Sequence, residues 1–273
     1  KDVLNPKWNN MSAKATATHV NSYLGNNGKI SFDITPATVD TKADFGLTKV
    51  LEGRDWTATD EFKFELSATS ENDAPMPAST TATVRNGNTA IGFGEITYNK
   101  PGEYTYEVRE VAGELGGITY SDNVATFKVT VTVKATGGLK ADVEKISGET
   151  EFKNTYSVKP VEDQITATKV LTGRDLKDGE FSFELVEGND VVVTGKNDAD
   201  GKIVMDKITY DKPGEHTYIL REVKGAEGNG ITYDDKTYTV VTTITDNGKG
   251  KLEAKHELKD ATTAEFTNSY KPN

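Results

Sequence analysis

Ile96-Thr-Tyr-Asn-Lys-Pro101-Gly-Glu-Tyr104-Thr-Tyr106-Glu-Val108-Arg-Glu110 is the stretch whose reading decides the fold. Proline and glycine at 101–102 signal a turn, and the residues after them alternate. A strand sends successive side chains to opposite faces. Tyr104, Tyr106, Val108 and Glu110 therefore share one face, while Thr105, Glu107 and Arg109 take the other. The same stretch returns as Ile208-Thr-Tyr-Asp-Lys-Pro213-Gly-Glu-His216-Thr-Tyr218-Ile-Leu220-Arg-Glu222, with His216, Tyr218, Leu220 and Glu222 aligned. In both, a mostly aromatic and aliphatic face ends on a glutamate.

The pattern extends outward along the chain. Thr126–Lys134 alternates Phe127, Val129, Val131 and Val133 with polar residues. Turn signals interrupt such runs at Asn27-Gly28, Asn86-Gly87, Asn229-Gly230 and Asn247-Gly248. Short alternating strands at this spacing predict an all-β sandwich, and no segment of useful length has a helical period.

Two further segments are duplicated on either side of the first. Phe45-Gly-Leu-Thr-Lys49-Val-Leu-Glu-Gly-Arg-Asp55 returns as Ile165-Thr-Ala-Thr-Lys169-Val-Leu-Thr-Gly-Arg-Asp175, and Glu151-Phe-Lys-Asn154-Thr-Tyr156 as Glu265-Phe-Thr-Asn268-Ser-Tyr270. By the same parity Lys49 lies with Phe45, Leu47 and Leu51, Lys169 with Ile165, Ala167 and Leu171, Asn154 with Phe152 and Tyr156, and Asn268 with Phe266 and Tyr270. Each repeat thus places a lysine, a glutamate and an asparagine on apolar faces of three different strands.

A lone buried lysine is too costly to keep charged. It must pair, lose its proton or react. One reading is a buried Lys–Glu ion pair with an asparagine beside it. The other is reactive, and the repetition favours it. Burial lowers the lysine pKa and frees a neutral amine as nucleophile. Burial raises the glutamate pKa, so that a protonated carboxyl can hydrogen-bond the asparagine carbonyl oxygen. The amine attacks the amide carbon, the acid relays protons and ammonia leaves, with folding supplying the proximity. The product is an isopeptide bond. It forms once per domain without turnover, so the chain is not an enzyme, and the chemistry asks for no cofactor or metal.

Composition narrows the classes. The chain has 273 residues and a net charge of −11, which argues against a nucleic-acid partner. It contains no cysteine, which removes disulfides, thiolate metal sites and thioesters. No run approaches the ~20 apolar residues of a membrane span, the N-terminus lacks a signal-peptide core, and no wall-sorting motif stands at the C-terminus. The chain reads as a fragment. Its repeats are expected at residues 41–157 and 158–273, joined by a short proline-containing linker, Val158–Asp163. Residues 1–40 fit neither. They contain His19-Val-Asn21-Ser-Tyr23, which echoes Phe266–Tyr270, and read as a strand pair or the tail of a preceding domain.

Together these segments, with Gly-Ile-Thr-Tyr at 117–120 and 230–233, resemble the streptococcal pilin isopeptide-linkage family, which covers T-antigen-like major pilins and related wall-anchored proteins of Gram-positive bacteria. The resemblance spans most of residues 41–273. It implies tandem immunoglobulin-like sandwiches of the collagen-adhesin B type, each with a Lys–Asn isopeptide bond between first and last strands. Lys49 and Lys169 would be nucleophiles, Asn154 and Asn268 acceptors, and Glu110 and Glu222 the catalytic acids. It also implies an extracellular location, in a pilus or anchored to the wall, with neighbouring domains or pilus subunits as partners. Val3–Lys7 is faintly like the lysine motif that sortases use on pilins, but its aromatic neighbours are misplaced.

The expected role is a load-bearing shaft or stalk segment. The alternative is an adhesin module for host matrix or glycan; a third reading is an accessory domain beside a wall hydrolase. An adhesin predicts one repeat with a long aromatic-rich loop. The longest low-pattern stretch, Glu71–Asn88, holds no aromatic residue, which favours the shaft. Asn197–Lys202 resembles the start of a calcium loop, but Lys196 and Lys207 stand where oxygen ligands are needed, so it reads as a polar hairpin. Trp56 and His216 read as core residues, and His19, His216 and His256 share no metal-ligand spacing.

Overall fold

A computed structural model describes residues 17–24, 30–36, 38–42, 45–71, 73–135 and 138–272. Every regular element among them is a β-strand. The chain divides into two compact units, the first ending at Tyr156 and the second starting at Ser157, except that Leu115–Gly117 groups with the second.

The first unit is a two-sheet sandwich. One sheet runs, in spatial order, Leu139–Ser147, Val124–Val133, Gly102–Val111, Glu61–Ala68 and Thr81–Arg85, antiparallel throughout. The other runs Ile118–Thr119, Glu151–Tyr156, Leu47–Glu52 and Ala90–Ile91. At its centre Glu151–Tyr156 lies parallel to Leu47–Glu52, with Phe152 opposite Lys49 and Asn154 opposite Leu51. The alternation does the packing. Ala125, Phe127, Val129 and Val131 are all buried, as are Tyr104, Tyr106 and Val108 on the neighbouring strand. The sheets meet through contacts such as Phe64 against Phe152, ring centroids 5.3 Å apart. Each such side chain contributes about 1.5–3 kcal/mol by leaving water.

The second unit keeps the strand order but closes one gap. Nine of its described strands form a single sheet in the order Ile231–Thr232, Glu265–Tyr270, Thr166–Thr172, Lys202–Met205, Asp190–Asn197, Ser182–Glu187, Gly214–Val223, Thr237–Asp246 and Leu252–Leu258. Asp190–Asn197 is long enough to pair with Ser182–Glu187 along most of its length and with Lys202–Met205 at its end. Its shorter counterpart Thr81–Arg85 ends in a turn and leaves the sheets separate. Thr166–Thr172 and Glu265–Tyr270 are again parallel neighbours, with Lys169 opposite Phe266 and Leu171 opposite Asn268.

Some segments follow the sequence reading and others depart from it. Glu71–Asn88 is not all loop: Thr81–Arg85 is a strand with Ala82 and Val84 buried, an alternation too short and small-sided to stand out. Val161–Asp163, within the expected linker, pairs with Ile208–Tyr210, as Val39–Lys42 pairs with Glu95–Tyr98. Ala17–Leu24, which carries His19, Asn21 and Tyr23, forms an antiparallel pair with Ile30–Pro36. Val3–Lys7 lies outside the described residues. His216 is not a core residue: its side chain is 37% exposed, stacked on Tyr218 and 2.9 Å from Glu187 Oε1. Trp56 packs edge-on against Phe62, centroids 5.1 Å apart. Asn197–Lys202 is a turn in which Asp198 Oδ1 accepts from the main-chain nitrogens of Asp200 and Lys202.

Candidate functional site

In the first unit the lysine, glutamate and asparagine converge between the sheets. Leu47–Glu52 turns Lys49 inward beside Leu47, and the whole residue is 1% exposed. Glu110 ends the buried face of Tyr106 and Val108 and lies opposite Phe64 in the ladder. Lys49 Nζ donates to Glu110 Oε2 at 2.9 Å, with both side chains fully buried. Asn154 Nδ2 donates to Glu110 Oε1 at 2.8 Å. One carboxyl therefore bridges the lysine nitrogen and the amide nitrogen. The Phe62 ring lies 4.8 Å beneath Nζ, so the amine meets an aromatic face rather than water.

The second unit repeats the cluster with a variation. Lys169 Nζ lies 2.7 Å from Glu222 Oε1, and Asn268 Nδ2 donates to the same oxygen at 2.9 Å. The lysine contact is close but not aligned as a hydrogen bond, and Glu222 Oε2 has no partner among the described residues. Phe181 takes the place of Phe62, 4.5 Å from the amine. Asn154 and Asn268 are completely buried.

Burial sets the electrostatics. It holds the Lys49 and Lys169 amines below the ordinary lysine value, against the opposing pull of Glu110 and Glu222. It pushes the Glu222 carboxyl up, against Lys169 and Asn268. Desolvation penalises both charged forms, so it favours passing the proton from ammonium to carboxylate.

The sequence reading expected each glutamate to face the asparagine carbonyl oxygen, and the structure instead turns the amide nitrogen toward it. Asn154 Oδ1 accepts from the main-chain nitrogen of Ser121 at 2.7 Å, and Asn268 Oδ1 from that of Asp234 at 2.8 Å. A main-chain N–H can only donate, which fixes the amide with its oxygen toward the loop and its nitrogen toward the acid. Sequence reasoning missed Ser121 and Asp234. The available signal was position, since each follows a duplicated Gly-Ile-Thr-Tyr.

A second duplicated motif brackets the cluster. After each lysine strand comes Gly-Arg-Asp. Arg54 forks onto Asp60 at 2.7 and 2.8 Å and lies 4.9 Å over the Tyr156 ring. Arg174 does the same with Glu180 and Tyr270. The preceding glycines have φ +91° at Gly53 and +93° at Gly173, and a Cβ there would come within 2.2 Å of the Tyr156 or Tyr270 carbonyl oxygen. The motif thus ties the end of the lysine strand to the end of the asparagine strand. Glu107 and Arg109 point outward and pair with each other at 2.8 Å.

Among the described residues no group of three or more histidine, aspartate and glutamate side chains could hold a metal ion, and no helix is long and apolar enough to cross a membrane.

The family model described as Spy0128-like isopeptide containing domain matches residues 45–157 and again residues 165–271. Among solved structures the chain is similar to the major pilin of Streptococcus pyogenes, at 16% identity over 87% of this chain and 99% of that one, with a TM-score of 0.31. It is similar to the T-13 major pilin of the same species at 18% identity, covering 88% and 98%, with a TM-score of 0.31. A C-terminal fragment of the pilus adhesin SpaC from Lactobacillus rhamnosus GG follows at 14% identity, covering 83% and 96%, with a TM-score of 0.26. No curated protein matches the sequence.

Proposed function

We propose, because the chain belongs to the Spy0128-like isopeptide containing domain family and carries the Lys–Glu–Asn cluster twice, that it is a load-bearing shaft or stalk segment of a bacterial surface structure, its units locked by Lys49–Asn154 and Lys169–Asn268 bonds. The observation that carries this reading is the contact of each buried glutamate with both a lysine nitrogen and an asparagine amide. The neutral amine adds to the asparagine Cγ. The Cγ–Nδ2 bond then breaks, and the nitrogen leaves as ammonia with the proton that the amine gives up. Glu110, lying between the two nitrogens, is placed to carry that proton. Both side chains are consumed, so the reaction occurs once and the chain is not a turnover catalyst.

Topology supports the mechanical role. The residues to be joined lie on adjacent parallel strands, near the start and the end of each family-matched region, 45–157 and 165–271. Tension entering one strand and leaving the other would pass through the covalent bond instead of the hydrogen-bonded sandwich. Such a segment works outside the cell, in a pilus or a wall-anchored stalk, in series with neighbouring domains or subunits. Pulling single molecules from both ends tests this. Wild type should show almost no unfolding extension, and Lys49→Ala should release a long segment from the first unit alone. Complete extension of both wild-type units would contradict the role.

A further inference from the structure

We propose that the residue after each Gly-Ile-Thr-Tyr, Ser121 in the first unit and Asp234 in the second, polarises the asparagine carbonyl through its main-chain N–H, and that the Asp234 carboxylate holds this donor against the asparagine strand. The inference rests on the crosslinking reading and adds to it an element outside the Lys–Glu–Asn cluster. Glutamate occupies the amide nitrogen side, which leaves the carbonyl oxygen to the loop.

When Nζ bonds to Cγ, the carbonyl π pair moves onto Oδ1. Charge develops where the Ser121 or Asp234 N–H already points, at 2.7 and 2.8 Å. A donor fixed in place before the reaction needs no reorganisation during it. The tetrahedral centre then collapses, the Cγ–Nδ2 bond breaks, and ammonia departs with the proton relayed by the glutamate. No other reactant is required.

The two units build the donor differently. In the first, Ser121 Oγ accepts from the Asn123 nitrogen at 3.2 Å. Asn123 in turn exchanges hydrogen bonds of 2.8 and 3.0 Å with the Glu149 main chain, just ahead of the asparagine strand. The Ser121 N–H is also shared with Glu110 Oε2 at 3.3 Å. In the second unit one carboxylate does both jobs. Asp234 Oδ1 accepts from the Lys236 nitrogen at 3.0 Å, and Oδ2 accepts from the Thr267 nitrogen at 2.8 Å, immediately before Asn268. Asp234 is thus a donor through its backbone and a positioning residue through its side chain.

The test follows bond formation in the full chain, recovered unlinked from inclusion bodies, refolded, and quenched for intact mass and peptide mapping. Asp234→Ala should slow the Lys169–Asn268 bond at least tenfold while Lys49–Asn154 forms at the wild-type rate. Asp234→Asn, which keeps an acceptor for Thr267, should recover most of that rate. Ser121→Pro, which removes the N–H, should slow Lys49–Asn154 by about 100-fold, the usual scale for losing one such donor, and Ser121→Ala should link at least tenfold faster than the proline variant. Hydrogen exchange reports whether each unit has folded. If Ser121→Pro prevents folding of the first unit, the Asp234 pair decides. Folded Asp234→Ala linking at the wild-type rate, or Asp234→Asn as slow as Asp234→Ala, overturns the proposal. Absence of any bond in wild type overturns the crosslinking reading itself, which the variants do not touch.

Discussion

Glu110 hydrogen-bonds both Lys49 and Asn154, the two side chains that the proposed reaction would join. Glu110→Ala should leave Lys49 and Asn154 unlinked while the second unit crosslinks normally, and the outward pair Glu107 and Arg109 should tolerate replacement. Peptide mapping checks both expectations. The pH dependence has a definite sign on each side. Burial lowers the Lys169 amine and raises the Glu222 carboxyl, and the proposed reaction needs the pair to hold one proton, on the acid, with the amine neutral. In acid the pair gains a second proton, which sits on the amine and abolishes the nucleophile. In alkali the pair loses its proton and the relay has nothing to give. Linking of the second unit during refolding should therefore be fastest between these limits and slow on both sides. A rate that rose steadily into alkali would show that only amine deprotonation matters.

Strands and turns carry those side chains into place, and much of this was legible in the chain. Alternation at Thr126–Lys134 and Tyr104–Glu110 announced buried faces, and parity turned Lys49, Glu110 and Asn154 inward because one residue of slip would expose every partner. Other features were not legible. Thr81–Arg85 buries only Ala82 and Val84, too little apolar pattern to mark a strand. The carbonyl donor is a main-chain N–H, indifferent to side chain, so serine stands in one repeat and aspartate in the other. His216 keeps the parity of Tyr104 and stacks on Tyr218, but its outer edge stays exposed and pairs with Glu187. The Gly-Arg-Asp turn was visible only as a duplication, and the structure gives its reason. Gly53→Ala combines a left-handed φ with a clash against the Tyr156 carbonyl and should cost the first unit roughly 1–3 kcal/mol. Denaturant melts in the Glu110→Ala background measure it without a crosslink to mask the loss. Wild-type stability there would mean that the two strand ends are not in close contact.

Over each whole unit, a bond would close a loop of about 105 residues between Lys49 and Asn154 and about 99 between Lys169 and Asn268. Chain-entropy arguments assign crosslinks of this span ~4–5 kcal/mol each, which corresponds to roughly 20 °C in melting temperature for a domain of this size. Calorimetry of Lys169→Ala should show the second unit melting far below the first. The central claim is covalent, and mass tests it most directly. The intact chain, weighed under denaturing conditions, should be lighter than its sequence by two molecules of ammonia, and digestion should yield branched peptides joining Lys49 to Asn154 and Lys169 to Asn268. An unmodified sequence mass would contradict the account.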